Sequence, residues 1–229
     1  MPDSTVDGAR GTVDGARFRP DWSSAGLGLL RALLIGLALG AAARATKYSP
    51  DVVRWVLTLG VPWLATAFAV GVFARRPLEG AAHGGLLMVA AVVAYYFIGT
   101  GIERHYGPLY SAAMIVGWGS LGAVAGGVFG AAGAAWRGGP SWLRIGAAAL
   151  LCGALAGEAI VYLSEGFGPA AEAAMRLELL VALVLAIFLN SGRRKVAATL
   201  AATAGVAAVA AVVEKSVRIL MHAGGWGGA

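Results

Sequence analysis

Seven stretches of this chain stay apolar for about 20 residues at a time, and most charged residues fall between them. They cover residues 26–45, 52–74, 80–100, 109–135, 143–164, 172–190 and 196–214. A helix rising 1.5 Å per residue needs ~20 residues to cross ~30 Å of hydrocarbon, and each run is near that length. The runs do not alternate with period two and are too long for barrel strands. The pattern predicts an all-α fold, a polytopic transmembrane helical bundle of seven spans. The count drops to six if the Ala-rich last run, close to neutral for insertion, stays out of the bilayer. Residues 25–222 form the transmembrane helical domain in this reading. Residues 1–24 are a flexible cytoplasmic tail and 223–229 a Gly-rich tail. The first tail repeats Val-Asp-Gly-Ala-Arg at Val6–Arg10 and Val13–Arg17, and lacks the basic start and apolar centre of a signal peptide.

Proline punctuates the pattern. Pro50, Pro77, Pro108, Pro140 and Pro169 fall between runs, where a missing N–H costs least. Pro62 falls inside the second run, in Gly60-Val61-Pro62-Trp63, and predicts a kink near Thr58, whose carbonyl loses its amide partner.

Small residues recur at helical spacing in three runs: Ala32, Gly36 and Gly40; Gly122, Gly126 and Gly130; Ala149, Gly153 and Gly157. Lipid tails are as apolar as leucine, so membrane helices associate through close packing, and such ladders predict tight seams. The same seams suit a membrane-protein partner or a homo-oligomer. A glycine-lined pore is the weaker reading, because pores add polar or charged rings.

Composition sharpens the class. The chain is 59% hydrophobic and only 13% charged, with mean hydropathy +0.74; a soluble domain carries roughly 25% charged residues. The net charge of +6 comes from short clusters such as Arg75-Arg76 and Arg193-Arg194-Lys195. That distribution belongs to topology-setting loops, and without a basic stripe interleaved with aromatics it excludes nucleic acid as a partner. With the N-terminus on one side, that side collects eleven Lys and Arg and the other seven. Positive-inside then puts the N-terminus in the cytoplasm of a multi-pass plasma-membrane protein. Cys152, the one cysteine, reads as a buried small hydrophobe.

Two carboxylates lie too deep to be helix-end charges. Glu158 falls about 22 Å up the fifth run, and Glu178 about 9 Å below the outer end of the sixth, which in a ~30 Å core is nearly one layer. Tyr95, Tyr96, Trp118, Ser120 and Tyr162 fall in that layer, with Arg176 slightly above and the loop Glu103–Tyr106 adjoining. The reading is an outward-facing acidic and aromatic pocket that suits a proton, a cation or a small-molecule ligand. The opposing reading makes each glutamate a structural group, bonded to Tyr or Trp or paired with Arg176. Glu172 and Arg176, at i and i+4, also read as a surface pair.

Catalytic patterns are missing. There is no H-E-x-x-H, no nucleophile elbow and no nucleotide-binding loop, and Gly117-Trp-Gly-Ser120 has its serine in the wrong place for an elbow. His83, His105 and His222 lack ligand spacing, so neither a metal nor a cofactor is expected. Three functions fit: a small carrier or substrate-capture subunit, a non-transporting scaffold or stability factor, and a cofactor-free acid/base enzyme using Glu158 and Glu178.

Gly60-Val-Pro-Trp63, Ala94-Tyr-Tyr96, Gly126-Gly-Val-Phe-Gly130 through Ala135-Trp136, and Gly157-Glu-Ala159 together resemble an uncharacterised family of small multi-pass membrane proteins. The resemblance spans roughly residues 25–215 and implies no known activity. In size, and in Ala38 and Ala42 at i, i+4 on the first run, the chain is also similar to substrate-binding components of energy-coupling vitamin transporters, which implies a membrane partner there.

Overall fold

The computed structural model describes residues 22–46, 49–58 and 60–223; the tandem repeat, the rest of the first tail to residue 21, and residues 224–229 lie outside the described residues. Helices follow one another throughout: α1 Trp22–Ala45, α2 Asp51–Thr58, α3 Gly60–Val72, α4 Pro77–Phe97, α5 Pro108–Gly138, α6 Ser141–Glu165, α7 Pro169–Phe188 and α8 Arg193–Ala223. A π turn, Ile98–Ile102, extends α4. No strand occurs among the described residues. Apolar runs become helices because a helix satisfies its own backbone, as lipid requires.

Pro77, Pro108 and Pro169 are the first residues of α4, α5 and α7, where the ring pre-sets φ and no amide is needed. Pro140 directly precedes α6. The turn from α6 into α7 uses Gly166 at φ 71° and Gly168 at φ 96°, conformations that glycine adopts without steric cost.

Among the described residues, five helical segments are by themselves long and apolar enough to cross a membrane: Gly26–Ala45, Pro77–Ile102, Pro108–Gly138, Ser141–Glu165 and Arg193–Leu220. The Ala-rich last run is one of them. The sixth run is the 20-residue α7, which carries Glu172, Arg176 and Glu178. The second run is described as two helices, α2 ending at Thr58 and α3 starting at Gly60 with Pro62 in its first turn, and the interruption falls where the kink is expected. Pro62 has no N–H to give, and in an unbroken helix its ring would crowd the Thr58 carbonyl.

α4 is the hub of the first half, packed against α1, α5 and α3; α6 is the hub of the second, packed against α8 and α7. All three small-residue ladders lie in these contacts. A Cβ on Gly36 or Gly40 would run into the Leu87 or Ala91 carbonyl of α4. One on Gly126 or Gly130 would meet the Gly84 or Gly80 carbonyl, while Gly122 faces Met88. Gly153 and Gly157 face Val206, Ala207 and Ala210 of α8. The ladders are therefore filled by helices of the same chain. α4 answers α5 with its own pair, Gly80 and Gly84, which are buried four residues apart. Cys152 is buried in the main apolar core with Leu151 and Leu155.

Candidate functional site

The break between α2 and α3 organises the deep polar layer. A helix start leaves its first amides without intrahelical acceptors and carries partial positive charge. Here those amides point at Glu158 of α6. The Gly60 N–H donates to Oε1 at 2.8 Å and the Val61 N–H to Oε2 at 2.9 Å. Pro62, next in line, has no N–H, so one carboxylate takes both donors. Glu158 is 5% exposed, and its partner is the helix terminus, not a Tyr, a Trp or Arg176.

Glu178 of α7 lies within electrostatic reach of Glu158 and is 6% exposed. The two carboxyl groups are within hydrogen-bond reach of each other, a contact that needs a proton on one of them, and neither Glu178 oxygen has another partner. Glu214 of α8 lies within reach of both carboxylates. Beyond it Arg218 holds Glu214 at 2.9 Å and Glu165 at 3.0 Å, with its guanidinium carbon 4.1 Å above the Tyr162 ring. Trp55, Tyr162 and Phe167 pack ring to ring there, Trp55 and Tyr162 edge-on at 5.8 Å. Of the residues expected from sequence, Glu158, Glu178 and Tyr162 thus belong to one cluster.

Tyr95 and Tyr96 belong to another. Arg44, at the end of α1, is 3% exposed, and its guanidinium pairs with Glu103 and donates to the Tyr106 hydroxyl at 3.1 Å and the Tyr95 hydroxyl at 3.4 Å. Its carbon lies 5.2 and 5.0 Å from the Tyr95 and Tyr106 ring centres. Tyr96 packs on Tyr95 and Tyr106. The π turn brings Glu103 and Tyr106 back over α4, and Thr100 on it bonds Ser111 at the start of α5. Trp63, in the first turn of α3, lies 6.5 Å from Tyr95, ring centre to ring centre.

Trp118 is half-buried and Ser120 exposed on α5. Among the described residues neither donates to nor accepts from the glutamate pair. Ser120 precedes Gly122 by two residues, about 200° around the helix, so the ladder that faces Gly122 to α4 turns Ser120 outward. Arg176 is 74% exposed and pairs with Glu172 at 3.0 Å, the surface pair.

Glu214, Arg218, Glu165, Trp55 and Arg44 were not among the sequence candidates. The i, i+4 spacing of Glu214 and Arg218 was the available signal, but at the end of the last run it resembles an ordinary surface pair. Among the described residues no group of three His, Cys, Asp or Glu side chains is placed to hold a metal ion.

A bundle of long apolar helices with one helix broken against a buried carboxylate defines a multi-pass membrane protein. The chain belongs to DUF6518, a family of unknown function, whose family model matches residues 19–219. The resemblance read from Gly60–Trp63 and the neighbouring motifs to an uncharacterised membrane family therefore holds. No curated protein and no solved structure matches the chain.

Proposed function

We propose that this protein is a small carrier, or the capture subunit of one, in which the Glu158–Glu178 pair binds the moving proton or cation. The observation that carries the reading is Glu178, a carboxyl group 6% exposed with no partner other than the Glu158 carboxyl group, a contact that itself needs a proton. Buried polar groups are nearly always bonded, and ionisable groups at membrane depth line ion and proton paths. The α2–α3 break supports the reading, since discontinuous helices whose N-termini face the binding layer recur in secondary transporters; that likeness is by analogy of architecture. In this reading α2 and α3 together make the second of seven spans and α7 the sixth. The N-terminus is cytoplasmic and the C-terminus outside, in the plasma membrane.

The test is proton uptake into proteoliposomes loaded with a pH-sensitive dye, under an imposed membrane potential. Wild-type protein takes up protons and Glu178→Gln does not, while both melt at similar temperature in detergent. Equal uptake by the two proteins, or none by wild type across a metabolite library, sinks the carrier.

A non-transporting scaffold is the second reading. It is favoured by Glu158, whose two oxygens are both engaged in holding α3. Under it Glu178→Gln raises stability and changes no flux.

A further inference from the structure

Arg218, like Arg44, is held by a carboxylate and an aromatic ring at once. Its guanidinium lies on the Tyr162 ring and is gripped by Glu165 from the end of α6 and Glu214 from one turn earlier on α8. The ring is one of three in mutual contact: Trp55 and Phe167 are 5.5 Å apart, and Tyr162 and Phe167 5.4 Å. They come from three separate stretches, α2, α6 and the α6–α7 turn, so the cluster is built by the fold and not by one helix face. An aromatic surface flanked by carboxylates is the chemistry that recognises an organic cation. Glu165 and Glu214 hold this guanidinium, and Glu214 in turn lies within reach of the buried Glu158–Glu178 pair.

The fit of Arg218 is incomplete. Nε donates to Glu214 and Nη1 to Glu165, but Nη2 is buried with no hydrogen-bond partner. A tethered side chain cannot turn its planar fork to satisfy every N–H, whereas a free guanidinium can. The Arg218 side chain is also 25% exposed, so the cluster is reachable from its outer end.

We propose that Arg218 is the built-in occupant of a binding site for guanidinium-type organic cations, formed by Trp55, Tyr162, Phe167, Glu165 and Glu214. A ligand displaces Arg218, stacks on Tyr162 and brings its charge next to Glu214, which bridges to the Glu158–Glu178 pair. The proposal names the substrate class of the carrier described above and rests on that reading.

The full-length protein in nanodiscs is titrated with butylguanidinium by calorimetry. Wild type binds it, and Arg218→Gln binds about tenfold more tightly because the internal competitor is gone. The gain disappears in Arg218→Gln/Tyr162→Leu. Equal affinity of wild type and Arg218→Gln overturns the proposal, as does a gain that survives loss of Tyr162. Tetrabutylammonium, which has no N–H to offer the carboxylates, binds more weakly than butylguanidinium; equal binding overturns the guanidinium assignment. A measurement on wild type alone guards against a misfolded variant: butylguanidinium speeds phenylglyoxal modification of Arg218 several-fold, and an unchanged rate overturns displacement. Calorimetry needs no transport, so absent binding with intact Glu178-dependent proton uptake rejects this site alone. Binding without proton uptake rejects the carrier and leaves the site.

Discussion

The Glu158 carboxylate accepts the Gly60 amide at 2.8 Å across 98 residues of sequence, and so ties the restart of α3 to the middle of α6. The same carboxylate takes the Val61 amide at 2.9 Å. Removing it leaves the buried Val61 amide and the part-buried Gly60 amide without that acceptor. Glu158→Ala is therefore expected to destabilise the protein by about 1–3 kcal/mol, since an unsatisfied buried polar group keeps its full desolvation cost. Glu158→Gln, which retains one acceptor oxygen, falls between Ala and wild type. Thermal melting in one detergent checks the order; a Glu158→Ala protein as stable as wild type would show that the capping contact contributes nothing.

The seam between α4 and α5 has no room for an added carbon at Gly126 or Gly130. Gly130→Ala would drive a methyl group into the Gly80 carbonyl, and separating the helices is expected to cost about 1–3 kcal/mol. Gly146→Ala, on α6 with nothing within 4 Å of its Cβ position, is the matched control. It is expected to be neutral or to stabilise by about 0.5–1 kcal/mol through helix propensity. Paired melting curves decide, and equal losses at both sites would contradict the seam.

Arg44 joins α1 to the turn after α4 through Glu103, Tyr95 and Tyr106. Breaking a buried ion pair from one side costs about 3–5 kcal/mol, so Arg44→Met is expected to lower the melting point more than any exposed arginine change. Arg44→Lys keeps the charge but loses the planar fork and recovers only part of the loss. Recovery to wild-type stability with Lys would mean that charge alone matters here.

Orientation is testable with cysteine labels, because native Cys152 is fully buried and stays silent. Gly107 and Gly138 are both exposed, with open space at the Cβ position. In intact cells Gly107→Cys reacts with an impermeant maleimide, while Gly138→Cys reacts only after permeabilisation. The reverse pattern would invert the positive-inside assignment.

Much of this architecture was legible in the sequence, because lipid imposes local rules. A long apolar run has one way to satisfy its backbone, so helix positions followed from run length. Glycines four residues apart mark a seam whichever helix fills it, and all three ladders proved to lie in contacts. The closeness of Glu158 to Glu178 followed from counting residues along helices.

What the sequence by itself determined was the membrane class, the helices, the seams and one acidic layer. Only the tertiary structure decided which helices meet and how each is rotated. Rotation separated Ser120 and Arg176 from the glutamates and moved Tyr95 and Tyr96 to Arg44. Pairing α6 with α8 brought Glu214 and Arg218 to Tyr162, although they stand about fifty residues further along the chain. The Gly60 and Val61 amides carry no side-chain signature at all. A backbone donor becomes a ligand only where a helix stops and restarts, and its acceptor is chosen by packing that no local pattern encodes.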